Sequence, residues 1–184
     1  PYEWIKFYDC LKESQKPTFM GLISTGARIN EIRHVVVNDV DLKNTRIILR
    51  VTKVKAKEGE KHSRPRIIPI SSQYAKYLRH HFNEKQIFGN ERIGILSTPA
   101  ANIAMKIALS KAGITEWRMF SVHNVRKTLE SWLLSLGVEP MKLMLHFGHR
   151  TATAMKHYIV PDAYTYKDRE QMREIIGDLY QNRA

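Results

Sequence analysis

The chain has 184 residues, 43% of them hydrophobic, which is the size of one domain and enough apolar side chain to build a substantial core. A long disordered chain does not have this composition. Lysine and arginine number 30 against 18 acidic residues, giving a net charge of +12 and a pI near 9.9, a balance that suits a polyanionic partner such as nucleic acid.

Taken in chain order, Tyr2 to Gln15 puts Trp4, Ile5, Tyr8 and Leu11 on one helical face. Pro17 is placed to open a second helix through Thr25, and Gly26 breaks it. Ala27 to Val35 is again helical in pattern, and Asn38 to Asp41 reads as a loop leading into extended structure. Arg46 to Thr52 and Arg66 to Ile70 are rich in β-branched residues, with a basic polar run between them, which predicts a long β-hairpin. Ser71 or Ser72 can cap a helix to about Phe82. A loop with Gly89 and Gly94 precedes a helix at about Pro99 to Ala112. Ser121 can cap a helix through Leu136 that stops at Gly137, and a shorter one spans about Glu139 to His146 and ends at Gly148. A short helix near Thr151 to His157 and a final amphipathic helix from Pro161-Asp162 to about Tyr180 complete the pattern. The expected fold is mixed α+β, mainly α-helical with a small antiparallel sheet.

The one cysteine, Cys10, leaves no internal disulfide framework, fits a reducing compartment and is expected as a small buried hydrophobe. No apolar stretch approaches the roughly 20 residues that span a membrane, and the start carries no signal-peptide pattern. The expected location is intracellular, in the cytoplasm or nucleoid. A start at Pro1 without methionine fits a fragment of a longer protein.

Four local patterns follow one another: Thr25-Gly26-Ala27-Arg28-Ile29-Asn30-Glu31-Ile32, the lysine-bearing hairpin, His123-Asn124-Val125-Arg126, and Gly148-His149 with Tyr158 nine residues beyond the histidine. Each alone has an ordinary reading. Arg28 is an exposed arginine at a helix start, His123 to Arg126 one helical turn, His149 a helix-end histidine, and Tyr158 a half-buried ring with a wet hydroxyl. His146 and His149 have i, i+3 spacing, but with a single cysteine and no clear carboxylate partner a zinc site is a poor reading. His80 and His81 cannot share a helix face and read as solvated.

In order and spacing the four patterns resemble the catalytic domain of the tyrosine recombinase family, over Arg28 to Tyr158. The resemblance implies a first arginine at Arg28 with a structural glutamate at Glu31, a second box of His123 and Arg126, a third-box histidine at His149, and a nucleophile at Tyr158. It implies a hairpin lysine at Lys53, with Lys55 and Lys57 as alternatives in a hairpin longer than in many relatives. Asn124 and Lys127 stand where relatives often have other residues. The chain as a whole, 1–184, is expected to be the catalytic domain, with 162–184 a C-terminal helical segment that in many relatives contacts a neighbouring protomer. An N-terminal DNA-clamping domain is expected to lie outside it.

The chemistry gives these residue types reasons to meet. The non-bridging oxygens of a phosphodiester gain charge during attack, and a planar guanidinium meets them with two hydrogen bonds where lysine cannot. Arg28 and Arg126 form the expected clamp, with a further donor from His149. A phenol is ionised only to about one part in a thousand at pH 7, so Tyr158 needs a base, for which His123 is the candidate. The 5′-oxygen leaves when protonated, a role for the hairpin lysine. The expected product is a covalent 3′-phosphotyrosine that a 5′-hydroxyl can reverse without ATP. No metal or cofactor is expected. The expected partners are double-stranded DNA and, in the full-length protein, three further copies forming a tetramer on DNA. Lys55, Lys57, Lys61 and Arg64 are candidate DNA contacts, in a basic run that also takes in Lys53 and Arg66. A type IB topoisomerase and a catalytically dead DNA-binding module are the rival readings.

Overall fold

The structure, a computed structural model, describes residues 1–50, 65–148 and 164–181. Helix α1 (Tyr2–Asp9) is shorter than its sequence pattern, and Phe7, outside that pattern, is its fully buried residue, with Leu11 buried just beyond its end. Cys10 is half-buried against the core. Helix α2 (Lys16–Thr25) carries Pro17 in its first turn, where a missing N–H costs nothing, and is buried on nearly every side. It ends on Gly26 in the left-handed conformation, at φ 57°. The expected helix at Ala27 to Val35 is only a short α3 (Ile29–Ile32), because the chain must turn at once into the 3-10 turn Val37–Asp39 and the sheet.

The sheet has three strands, β1 (Val40–Asp41), β2 (Arg46–Leu49) and β3 (Arg66–Pro69), in that order and antiparallel. Ile47 faces Ile68 and Leu49 faces Arg66. Since successive side chains alternate between faces, Ile47, Leu49, Ile68 and Ile70 all point into the core, and Arg66 shares their side. Pro69 sits on the outer strand, where no ladder donor is lost. The antiparallel pairing expected of the hairpin is present; its residues 51–64 lie outside the described residues.

Helix α4 (Ser72–Lys85) starts at Ser71, whose Oγ accepts the Tyr74 N–H at 3.1 Å. Helix α5 (Thr98–Lys111) starts at Ser97 in the same way. Helix α6 (Val122–Ser135) runs through the centre and packs on α2, while α1 packs on α5. Helix α7 (Pro140–Phe147) closes on Gly148, again left-handed at φ 61°. The last helix, α8 (Tyr166–Ile176), begins four residues later than Asp162 because Thr165 and Asp168 cap it reciprocally: the Asp168 carboxylate accepts the Thr165 N–H at 2.8 Å and the Thr165 hydroxyl accepts the Asp168 N–H at 3.2 Å. It folds back on its own chain. Met172, Ile176 and Leu179 are buried, and the Asp178 carboxylate accepts the Ser72 N–H at the start of α4 at 2.6 Å. Among the described residues no helix is long and apolar enough to cross a membrane.

His81 corrects the sequence reading. It is buried, with Nε2 3.0 Å from the Ile93 carbonyl oxygen, because the inward face of α4 includes it; His80 next to it is exposed as expected.

Candidate active site

Arg28 follows the left-handed Gly26 in extended conformation at the N-terminus of α3. Its backbone N–H donates to Glu31 Oε2 at 2.7 Å and its Nη1 to Oε1 at 3.0 Å, while about half of the side chain stays exposed. Glu31 is buried beneath it and also takes both prongs of Arg66, at 2.7 and 2.8 Å. Burial works against the charged form of Glu31, but the hydrogen bonds and attraction from Arg66, followed by those from Arg28, outweigh it and hold the carboxyl below its ordinary range.

Arg126 lies one helical turn after His123 on α6 and is buried. Its Nη1 donates to the Gly26 carbonyl oxygen at 2.7 Å, its Nη2 to the Phe147 carbonyl oxygen, and its guanidinium lies 4.9 Å from the Phe147 ring centre. The ends of α2 and α7 therefore clamp it from both sides. Burial, and then the charges of Arg28 and Arg66, lower its pKa to about 10, which leaves it cationic at neutral pH. The carbonyls that hold it carry no formal charge, so the cation is not cancelled by its anchors.

Gly26 is where this geometry needs glycine. A Cβ there would lie 2.3 Å from Phe147 Cε1, on a backbone already left-handed.

His123 opens onto the same cleft, a hollow of about 270 Å³ lined by Arg28, Thr98, Asn102, Ser121, His123 and Arg126 among others. Partial desolvation, then the positive charges of Arg126, Lys127 and Arg28, push the imidazole below its ordinary pKa, so it is neutral at pH 7. A neutral imidazole can accept a proton. Asn124 acts on the backbone, where its Oδ1 accepts the Ser121 N–H at 2.9 Å and fixes the first turn of α6, which sets the direction of His123. The Asn102 side chain adds to this by accepting the Val122 N–H at 3.0 Å.

The structure thus brings together Arg28 with His123 and Arg126 from two separate stretches of sequence. Lys53, Lys55, Lys57, Lys61, Arg64, His149 and Tyr158 lie outside the described residues. Gly148, directly before His149, ends α7 against Arg66.

Arg66 is a second residue whose environment the sequence reading missed. Counted there in the basic run beside the candidate DNA contacts, it is largely buried, forked onto Glu31, and its Nε donates to the His146 carbonyl oxygen at 3.0 Å. The strand alternation held the signal, since Arg66, Ile68 and Ile70 share one face. His146 is likewise buried. Its Nε2 lies 2.9 Å from the Thr25 carbonyl oxygen and its Nδ1 2.9 Å from the Tyr180 hydroxyl, so both ring nitrogens are engaged within the protein.

This architecture is that of the tyrosine recombinase catalytic domain. It superposes on XerA recombinase with a TM-score of 0.65 at 17% identity, covering 94% of this chain and 62% of that one. For the Tn1549 transposon integrase in complex with a circular intermediate DNA, the TM-score is 0.68 at 15% identity, covering 95% and 64%. For the integrase from mycobacterium phage Brujita, it is 0.59 at 16% identity, covering 100% and 58%. The chain therefore spans a little over three fifths of the length of the first two. No curated protein sequence matches it. The Phage integrase family model matches residues 4–164, and the chain belongs to that family.

Proposed function

We propose that this chain is the catalytic domain of a site-specific DNA recombinase, cutting and rejoining strands through a 3′-phosphotyrosine intermediate. The observation that carries the reading is the convergence of Arg28, Arg126 and His123 on one cleft, with the buried Arg126 cation held by neutral carbonyls. Such a cleft attracts an anion and favours one that gains charge, as a phosphodiester does under attack.

The roles divide by chemistry. Arg28 and Arg126 bind the non-bridging oxygens, and His149 adds a donor. Tyr158 Oη attacks phosphorus and gives its proton to His123, which is neutral and ready to take it. The P–O5′ bond breaks as Lys53, or Lys55 or Lys57 in a shifted register, protonates the leaving oxygen. The product is tyrosyl phosphate plus a free 5′-hydroxyl, and attack by a 5′-hydroxyl of another strand reverses the step. Double-stranded DNA is the substrate, with contacts from Lys55, Lys57, Lys61 and Arg64 in the hairpin, and a homotetramer in the full-length protein is the assembly. The location is the cytoplasm or nucleoid. Family membership favours strand exchange over topoisomerase-like relaxation.

The test is covalent capture. Incubated with a randomised library of nicked duplexes, the unmodified protein should form a denaturant-resistant adduct on a 3′-phosphate. Sequencing the captured DNA gives the site, and peptide mapping should place it on Tyr158. Tyr158→Phe should bind that site and form no adduct; an adduct through Tyr164 or Tyr166, or full adduct formation by Tyr158→Phe, overturns the reading.

A further inference from the structure

We infer that Arg66 is a positioning residue for the reaction, which keeps the Arg28 guanidinium presented to the cleft by taking up the Glu31 carboxylate; this rests on the function proposed above. Glu31 is a buried anion directly below Arg28. Left alone with it, Arg28 would close onto the carboxylate with both prongs, as arginine and carboxylate do when geometry allows. Its charge would then be cancelled and its donors spent.

Arg66 prevents that collapse by occupying the carboxylate first. Its Nη1 and Nη2 meet Oε1 and Oε2 at 2.7 and 2.8 Å, a two-pronged fork, and its Nε is tied to the His146 carbonyl oxygen at 3.0 Å. Oε2 is further used by the Arg28 backbone N–H at 2.7 Å. One contact then remains for the Arg28 side chain, from Nη1 to Oε1 at 3.0 Å. Its Nε and Nη2 have no partner among the described residues and are left for a phosphate. The charge count agrees, because two arginines on one carboxylate leave a net positive charge at the cleft. A lone Arg28–Glu31 pair would leave none.

The placement also connects three parts of the site. Arg66 opens the second strand of the lysine-bearing hairpin, Glu31 belongs to the Arg28 turn, and His146 is in the last turn of α7, three residues before His149. One side chain sets these elements against each other.

The test is a double-mutant cycle, read as the rate of adduct formation on the captured nicked site, with binding followed separately by fluorescence anisotropy. Arg66→Met in the otherwise unmodified protein should slow adduct formation at least tenfold while changing affinity less than threefold. In an Arg28→Ala background the same change should slow it less than twofold, because the group through which Arg66 acts is gone. Arg66→Lys keeps the cation but not the fork and should fall between; it runs the same cycle if Arg66→Met does not fold. Equal slowing in both backgrounds, or none in the first, overturns the inference about Arg66 while the unmodified protein's adduct leaves the proposed function standing. Failure of the unmodified protein to form any adduct overturns both.

Discussion

The imidazole of His146 meets the carbonyl oxygen of Thr25 at 2.9 Å, across 121 residues of sequence. A carbonyl can only accept, so Nε2 carries the proton, and Nδ1 accepts from the Tyr180 hydroxyl on its other side. The ring is neutral, and burial lowers its pKa to about 3. The unfolded chain takes up this proton near pH 6.5 while the folded chain refuses it until about 3, so stability is full above 6.5 and is lost as pH falls through that window. Between pH 7 and pH 5 the loss should be about 2 kcal/mol. Glu31, whose carboxyl is held low, adds a loss of the same sign at more acid pH. Urea titrations at several pH values check this, and His146→Gln should flatten the slope between about pH 6.5 and 5 by about one proton.

Gly26→Ala should cost roughly 2–5 kcal/mol, from a non-glycine left-handed residue and from the clash with Phe147. It also displaces the carbonyl that holds Arg126. Thermal melts should show the loss of stability, and cleavage should fall even at temperatures where the variant is folded. A variant with unchanged melting temperature would contradict the packing around Gly26.

If His123 accepts the Tyr158 proton, adduct formation should fall only at a pH below the ordinary imidazole value, because desolvation and three neighbouring cations favour the neutral ring. Lys127→Ala removes one of those cations from an exposed position outside the cleft lining. The acid limb of the rate profile should then move up towards pH 6.5, the ordinary value. A limb that stays in place would remove either His123 as the base or Lys127 as its neighbour.

Arg126→Lys keeps a positive charge but cannot bridge the Gly26 and Phe147 carbonyls with a rigid fork. DNA affinity should drop only a few fold, while the cleavage rate falls by on the order of a hundredfold or more, the scale seen when one oxyanion donor is removed. Single-turnover cleavage against equilibrium binding separates the two, and near-normal cleavage would refute the two-pronged role.

Much of the fold was legible wherever the signal is local. Pro17, Ser71, Gly26 and Gly148 each mark a helix end through their own backbone or cap chemistry, and the hairpin strands announced themselves by β-branched runs. The final helix was placed too early because Pro161-Asp162 looks like a start while the working cap is the reciprocal Thr165–Asp168 pair. The Arg28, His123 and Arg126 positions came from order and spacing. What sequence did not give is which charges are inward. Arg66 reaches partners 35 and 80 residues away, and His81 is paired with a loop carbonyl, contacts that no short window contains.

The anchoring of Arg126 by peptide oxygens has a thermodynamic consequence. A cation buried on two carbonyl dipoles, with the Glu31 and Glu130 carboxylates offsetting burial only in part, keeps some of its desolvation cost for as long as the cleft is empty. An anion that enters relieves that cost in the folded state and has no counterpart in the unfolded one, so occupancy and folding are linked. The protein's resistance to heat is then partly a property of what it is holding: a phosphate-bearing duplex should raise its melting temperature, and the loss of Arg126 charge should remove much of that increment.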